Sequence, residues 1–475
     1  MKNKFYVTTP IYYVNAEPHI GHTYTTVAAD ILARWHRQQG DETFFLTGTD
    51  EHGAKIAEKA AEAGVEPQDF VDKVSTTFQK AWSDFGISND SFIRTTDSSH
   101  KQAVQRAVEV MLEKGVIVKD KYEGLYCQGC EQFKNEKDLI NGKCPDHLTV
   151  PQWMSEEAYM FKLSNFQHEL VRRIESDEIK VRPVERKNEI LSFITQHGLR
   201  DVAFSREKVK WGIPFPGDEN HTIYVWADAF LNYLTGLGWQ GEAGVCPRMW
   251  PATVQLMSKD ILRVHATIWQ AMLIALDLPT SKELFIHGFF LVEGQKMSKS
   301  LDNVIAPAEL IKRYGVDGAR YLLMSATSFG HDGDIGRKFF DDKFTADLAN
   351  GLGNLVARVS NLLEKNSIAT KLRAGTDQDL TSKVSSAMND LKFDEVLKIL
   401  WQKIALMDEL LSEKKPWKME SVTEISDVLV PVAQTILNVA DLLLAFMPTT
   451  AQQVIKQFEA NQIVKGESLF PRLVD

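Results

Sequence analysis

Cysteine is scarce in this 475-residue chain: there are four, and three of them crowd between residues 127 and 144. So few thiols cannot staple a chain of this length. A disulfide scaffold is excluded, and the clustering points to metal instead. A basic surplus is also missing. Lysine and arginine number 54 against 64 aspartates and glutamates, a formal net charge of −10. That balance excludes a general nucleic-acid coat protein and leaves room only for a local basic face. The N-terminal "MKNKFYVTTPIYYV" has no apolar h-region, so no signal peptide is read there. The most apolar late stretch, "VLVPVAQTILNVADLLLAFMP", is interrupted by Pro431, Gln434, Asn438 and Asp441 and reads as a buried helix, not a membrane span. Internal repeats and low-complexity tracts do not stand out. At 44% hydrophobic and 25% charged, the composition is that of a globular protein with a large core. A cytoplasmic location without membrane contact is the expectation.

What is present begins with a strand. Residues 4–11, "KFYVTTPI", are rich in β-branched and aromatic types; helical periodicity follows from about 22 to 38, and "ETFFLTGTDEHG" at 42–53 reads as a second strand ending in a polar turn. Helical patterns fill 54–63, 67–84 and 99–114. This alternation predicts a Rossmann-like, doubly wound parallel sheet. Near 115 the texture becomes short-stranded, turn-rich and cysteine-bearing, which suggests an inserted module. Helical patterns return at 165–176 and 186–197. "TIYVWADAFLNYL" (222–234), "VQLMSKDILRVHATIWQAMLIAL" and "ELFIHGFFL" repeat the strand–helix theme, so the sheet is expected to resume there. From about 338 onward only apolar spacings of three and four occur, which predicts an all-α domain.

Cys127, Cys130, Cys144 and His147 form C-x2-C-x13-C-x2-H. Two half-sites of this kind close a tetrahedron around Zn²⁺ and leave no open position, so the zinc would be structural. Gly129, Gly142 and Pro145 suit tight knuckles. Cys246 is remote in sequence and reads as a small packing residue.

Two other segments carry chemistry. In "NAEPHIGHTYTTVAADILARW" (15–35), His19 and His22 flank Gly21 where a strand hands over to a helix. Core packing, a metal and a nucleotide phosphate at a helix N-terminus all remain open for two histidines taken alone. In "FFLVEGQKMSKSLDN" (289–303), Lys296 and Lys299 flank Ser298. Such a loop can wrap a polyphosphate, and alone it reads equally as a solvated surface loop.

Taken together, "PHIGH" after the first strand and "KMSKS" after a late one resemble the paired signatures of the class I aminoacyl-tRNA synthetases, in the same order and with an insertion between the sheet halves. More narrowly, "GTDEHG" (48–53), "SREKVKWGIPFPGD" (205–218), "YVWADAFLNY" (224–233), "SKDILRVHATIWQAM" (258–272), the cysteine–histidine insertion and "KPW" (415–417) resemble the methionyl-tRNA synthetase family over essentially the whole chain.

The resemblance implies a division into a first catalytic half (1–114), a connective insertion with the zinc knuckle (115–220), a second catalytic half (221–290), the KMSKS loop and linking region (291–337) and an α-helical anticodon-binding domain (338–475). It implies two steps: activation of L-methionine with ATP, Mg²⁺ sharing the phosphate charge, and transfer to the 3′ end of tRNA(Met). His19, Gly21, His22, Asp260, Lys296, Ser298 and Lys299 then fall on ATP, with His19, His22, Lys296 and Lys299 as the catalytic groups. Ile11, Tyr13, Trp226, Ala229, Tyr233, His265, Ile268 and Trp269 match the family's methionine pocket, and Asp50 the position that holds the α-amino group. An aromatic lining suits a polarisable thioether. Asn354, Arg358 and Trp417 match anticodon-reading positions. Ser258 stands where the family commonly has glycine, and Phe230 and Gln270 where it often has proline. Some members carry a further β-barrel tRNA-binding domain that dimerises them; none is read here, so a monomer is expected. Metal analysis of the purified protein is expected to return one zinc per chain; a metal-free protein with intact thiols would defeat the knuckle.

Overall fold

Phe5, Tyr6, Val7 and Thr8 are all buried, as expected of a strand covered on both faces. In the structure, a computed structural model that describes residues 2–128, 132–134, 136, 139–145, 148–292, 294–296 and 305–473, they belong to β1 (Lys4–Thr8) in a seven-stranded sheet. The first half continues with β2 (Tyr12–Tyr13), α1 (Ile20–Gln38), β3 (Glu42–Asp50), α2 (Ala54–Ala63), α3 (Pro67–Asp84), β4 (Ser91–Arg94) and α4 (Ser98–Glu113). The bounds of β1, α1, β3, α2, α3 and α4 lie within a few residues of the periodicity read from sequence, while β2 and β4 have no counterpart in that reading. β3 pairs with β1 in register Val7–Phe45, with β2 at Tyr13–Asp50, and with β4 on its other edge. On its far side β1 pairs with Val254–Ser258, which pairs with Glu283–His287, which pairs with Lys180–Arg182. Every pairing in this sheet is parallel. Chain order therefore reverses between β1 and Val254–Ser258, which opens a crevice at their carboxyl ends.

Side-chain alternation along the strands divides the core in two. Phe5, Val7, Phe45, Leu256 and Phe285 face one cluster, while Tyr6, Leu46, Met257, Leu284 and Ile286 face the other. The first cluster runs without a break from α1 (Val27, Ile31, Trp35) through the helix Pro307–Ser325 into the C-terminal helices.

Two strand assignments differ from the sequence reading. Asp218–Ile223, which overlaps the run at 222–234, does not rejoin the main sheet. It pairs antiparallel with Ser205–Arg206 and Pro214–Phe215. A strand-like run does not name its partner, and the short hairpin costs little closure entropy. Conversely, Lys180–Arg182, between the helical patterns of the inserted module, returns to the main sheet as its edge. Ile117–Cys127 and Gln152–Phe161 form a long antiparallel ladder flanked by Gln132–Lys134 and Val202–Ala203.

From residue 337 on, the described residues contain helices and one isolated bridge, Ala369–Gln462. Val422–Leu443 is the one helix among them long and apolar enough to cross a membrane, and its Ile425, Leu429, Ile436 and Leu443 are buried in the shared core.

A charged pair is sealed where these parts meet. The Arg320 and Asp30 side chains are both 0% exposed and lie 2.7 Å apart. Arg320 also donates to the carbonyls of Phe446 (2.8 Å) and Ala445 (3.0 Å), and Asp30 accepts from Arg34 and from the amide and hydroxyl of Ser88. Burial pushes the Asp30 carboxyl up, but Arg320 and Arg34 outweigh it and hold it below the usual range. Removing Asp30 strands the Arg320 charge, and removing Arg320 leaves the buried Asp30 with Arg34 and Ser88 alone. Arg320→Met is therefore expected to cost about 3–5 kcal/mol, read from the urea midpoint, with Asp30→Asn in the same chain recovering part of it.

Candidate active site

The N-terminus of α1 is built by its two histidines. His19 is the N-cap in extended backbone, and its Nδ1 accepts from the Gly21 amide at 3.1 Å. The His19 amide donates in turn to His22 Nδ1 at 3.2 Å, which closes a capping box made of imidazoles. A ring whose Nδ1 accepts is neutral and carries its proton on Nε2. Burial and the neighbouring His19 push His22 well below the usual histidine range, which agrees. Both rings therefore offer an N–H donor at the positive end of a helix, where an anion is favoured. The rings stack at 3.9 Å, and Tyr12 and Phe78 lie against His22 at 4.9 and 5.4 Å. A Cβ at position 21 would lie 2.9 Å from the His19 ring. Gly21, which the family resemblance puts on ATP, thus lets His19 fold over its own helix.

The chain that re-enters the described residues at Ile305, beyond "KMSKS", is anchored to this helix end. The Ile20 amide donates to the Ile305 carbonyl at 3.1 Å. On the segment's other side, Gln295–Lys296 pairs with Phe290–Val292, which runs parallel to Gly333–Asp334. Ser298, Lys299 and the Lys296 side chain lie outside the described residues.

The aromatic residues named from sequence converge except Tyr13, which packs against the cluster of Tyr12, Phe78 and Trp82. Ile11 and Trp226 pack against the cluster that holds Tyr233, Ile268 and Trp269. Trp226, half-buried, meets Phe230 at 5.5 Å, and Phe230 meets His265 at 5.0 Å. Tyr233 lies 5.5 Å from Trp269 and hydrogen-bonds His265 Nε2 at 2.9 Å. His265 Nδ1 faces the Ile261 carbonyl at 2.9 Å and must donate to it, so Nε2 accepts the tyrosine proton. Burial pushes His265 down to about 4, against the opposing pull of the Ile261 carbonyl and Asp260. His265–Trp269 is a π-helical turn, a form that marks functional sites. Gln270 steadies it by donating to the His265 carbonyl and bonding Ser281 through both amide atoms. Ala229 is buried on the short helix Val225–Ala229. Tyr13 stands opposite Asp50 in the β2–β3 register, and both are partly buried. Asp260 is exposed just beyond Val254–Ser258 and accepts from the Ser258 hydroxyl, which is what serine adds at that position. Asp50, Asp260 and the α1 histidines thus stand at the carboxyl ends of the strands, around the switch point.

The remaining residues lie elsewhere. Cys127 and Cys144 are buried and meet at Thr149: Cys127 Sγ is 3.9 Å from Thr149 Oγ1, and the Cys144 amide donates to the Thr149 carbonyl at 2.8 Å. Cys130 and His147 lie outside the described residues, and among the described residues no three His, Cys, Asp or Glu converge as a metal site. Cys246 is exposed, contrary to the packing role read from sequence. In the helical part, the Arg358 guanidinium covers the Trp417 ring at 4.5 Å and pairs with Asp408, while Asn354, one turn away, is exposed.

The family described as tRNA synthetases class I (M) matches residues 5–149 and 138–360. The chain is 40% identical to the methionine–tRNA ligase of Clostridium acetobutylicum over 506 residues, covering 99% of this chain and 78% of that protein. It is 39% identical to that of Rickettsia bellii, covering 100% of this chain and 95% of the other. The solved Mycobacterium tuberculosis methionyl-tRNA synthetase in complex with methionyl-adenylate superposes with a TM-score of 0.90 at 32% identity, over 99% of both chains. The chain belongs to the class I methionyl-tRNA synthetase family.

Within this synthetase site the sequence reading missed a buried polar layer. Asp228 accepts from His52 and His100, and Glu51 accepts a bidentate pair from Arg94. His52 and Asp228 stand inside the quoted motifs, but no linear spacing joins 52, 100 and 228. His265 makes stability depend on pH. Its folded-state value lies below that of an unfolded histidine, so acidification protonates the unfolded ring first and stability falls as pH drops below about 6.5. Between pH 7.5 and 5 this group is expected to cost about 2 kcal/mol. Urea midpoints across that range should fall less for His265→Asn than for the parent.

Proposed function

We propose that this chain is a methionine–tRNA ligase. In the first step a carboxylate oxygen of L-methionine attacks the ATP α-phosphorus, the bond to the bridging oxygen breaks, and pyrophosphate leaves. In the second the terminal hydroxyl of tRNA(Met) attacks the adenylate carbonyl and AMP departs. The observation that carries the reading is the capping box of α1: two neutral rings, each with an Nε2–H donor, at the positive end of a helix beside the switch-point crevice. Such donors stabilise charge as it develops on the phosphate without having to reorganise.

The site residues take these roles. His19, Gly21 and His22 receive the triphosphate, Asp260 the ribose, and Lys296, Ser298 and Lys299 the departing pyrophosphate. Bound with ATP, Mg²⁺ supplies charge neutralisation on those phosphates. Ile11, Tyr13, Trp226, Ala229, Tyr233, His265, Ile268 and Trp269 enclose the thioether side chain, and Asp50 takes the ammonium. Support comes from the shared packing of the aromatics and from a neutral His265 oriented by Ile261 and Tyr233. Asn354, Arg358 and Trp417 read the anticodon; the Arg358–Trp417 stack supplies a flat cationic platform for a splayed base. A structural zinc held by Cys127, Cys130, Cys144 and His147 would cross-link the connective segment, and the approach of Cys127 and Cys144 to one threonine suits that donor set. The division at 114, 220, 290 and 337, a monomeric state and a cytoplasmic location complete the reading.

Methionine-dependent ATP–pyrophosphate exchange tests it, with leucine and isoleucine as controls. Exchange driven by methionine alone is expected. His19→Ala or His22→Ala should slow it by about 10²–10³-fold with little change in methionine affinity. Equal exchange with leucine, or intact exchange in both variants, would overturn the assignment.

A further inference from the structure

Asp228 is 1% exposed and sits on the five-residue helix Val225–Ala229. Its Oδ2 accepts from His52 Nδ1 at 2.6 Å and its Oδ1 from His100 Nε2 at 2.7 Å. Both histidines are buried. His100 belongs to the first turn of α4, and its Nδ1 accepts from the hydroxyl of Thr235 at 2.7 Å, two residues beyond Tyr233. His52 follows Asp50 by two residues, at the end of β3. One carboxylate thus joins the strand end that carries Asp50, the start of α4 and the helix that carries Trp226 and Ala229.

A helix of five residues has no stability of its own, so tertiary contacts set its direction. On it Trp226 and Ala229 are three apart and share a face, while Asp228 projects from the opposite side. Asp228 therefore turns away from the lining residues and toward the scaffold. A buried carboxylate without partners would be costly. Here burial pushes its carboxyl up, and His52 and His100 outweigh that and keep it ionised below the usual range. The neighbouring Glu51 is held separately by Arg94 and Thr96, and its carbonyl accepts from Trp211 Nε1 at 2.6 Å, so the β3 end is itself rigid.

We propose that Asp228 is a positioning residue for methionine recognition: by accepting from His52 and His100 at once it fixes the Trp226–Ala229 wall at a set distance from Asp50. The inference rests on the reading that Trp226, Ala229 and Asp50 contact methionine. A wall that is free to tilt loosens the grip on the side chain and leaves the ATP subsite on α1 untouched.

The test uses the full chain in pyrophosphate exchange, with KM for methionine and for ATP measured separately. Asp228→Asn is expected to raise the methionine KM on the order of 10- to 100-fold, with the ATP KM unchanged within about twofold. His100→Gln keeps a donor toward Asp228 and should preserve the methionine KM, whereas His100→Leu removes the donor and should raise it. This pair decides the matter if Asp228→Asn fails to fold. A rise in both KM values together, or no difference between His100→Gln and His100→Leu, overturns the proposal. Trp226→Ala is the control for the underlying reading. If it raises the methionine KM while Asp228→Asn does not, the pocket stands and the positioning role falls. If Trp226→Ala changes nothing, the pocket assignment falls and the proposal with it.

Discussion

The buried Arg320–Asp30 pair is the constraint on which the arrangement depends. Two charges taken out of water are expensive, and they are tolerated here because their hydrogen-bonding capacity is used. Arg320 reaches the carbonyls of Ala445 and Phe446 as well as Asp30, and Asp30 is filled by Ser88 and Arg34. One contact therefore registers α1, the helix Pro307–Ser325 and the end of the long apolar helix against one another. Asp30 lies three turns along α1 from His19, and at 5.4 Å per turn a rigid helix carries that anchor about 16 Å to the capped end. The placement of two histidines at the crevice is thus decided by an ion pair in the interior.

At the crevice itself the same economy of proton placement recurs. His19 and His22 are made neutral donors by backbone amides that occupy their Nδ1 atoms. His265 is made a neutral acceptor by a carbonyl that occupies its Nδ1. Asp228 is kept ionised by two imidazoles. In each case the partner of one atom dictates what the other can offer. An anion needs donors, an apolar pocket needs a wall without loose charge, and the geometry offers both at the carboxyl ends of one sheet.

Much of this was legible in the residues. The alternation of strand and helix through residue 113, the helical C-terminal part and the paired "PHIGH" and "KMSKS" motifs all follow from periodicity and local chemistry, which act over a few residues. What failed was partner choice. The strand at Asp218–Ile223 was visible, but its antiparallel partners were not, and Lys180–Arg182 was hidden between two helical patterns because three residues carry no period. Gly21 was legible as one of the ATP positions the resemblance implies, though not that His19 folds over it. The exposure of Cys246 was equally unreadable, since burial depends on what packs nearby.

By itself, then, the order of residues determined most of the elements, which rest on composition and short spacing, and through its motifs the resemblance to a family that implies the list of chemically able side chains. Only the tertiary structure decided which tautomer each histidine takes, that Gln270 steadies the π-turn, that Arg358 covers Trp417, and that residues 52, 100 and 228 share one carboxylate. Hydrogen bonds and ion pairs at 2.6–2.8 Å join residues far apart in the chain, and no pattern along a line encodes a contact that only folding brings within reach.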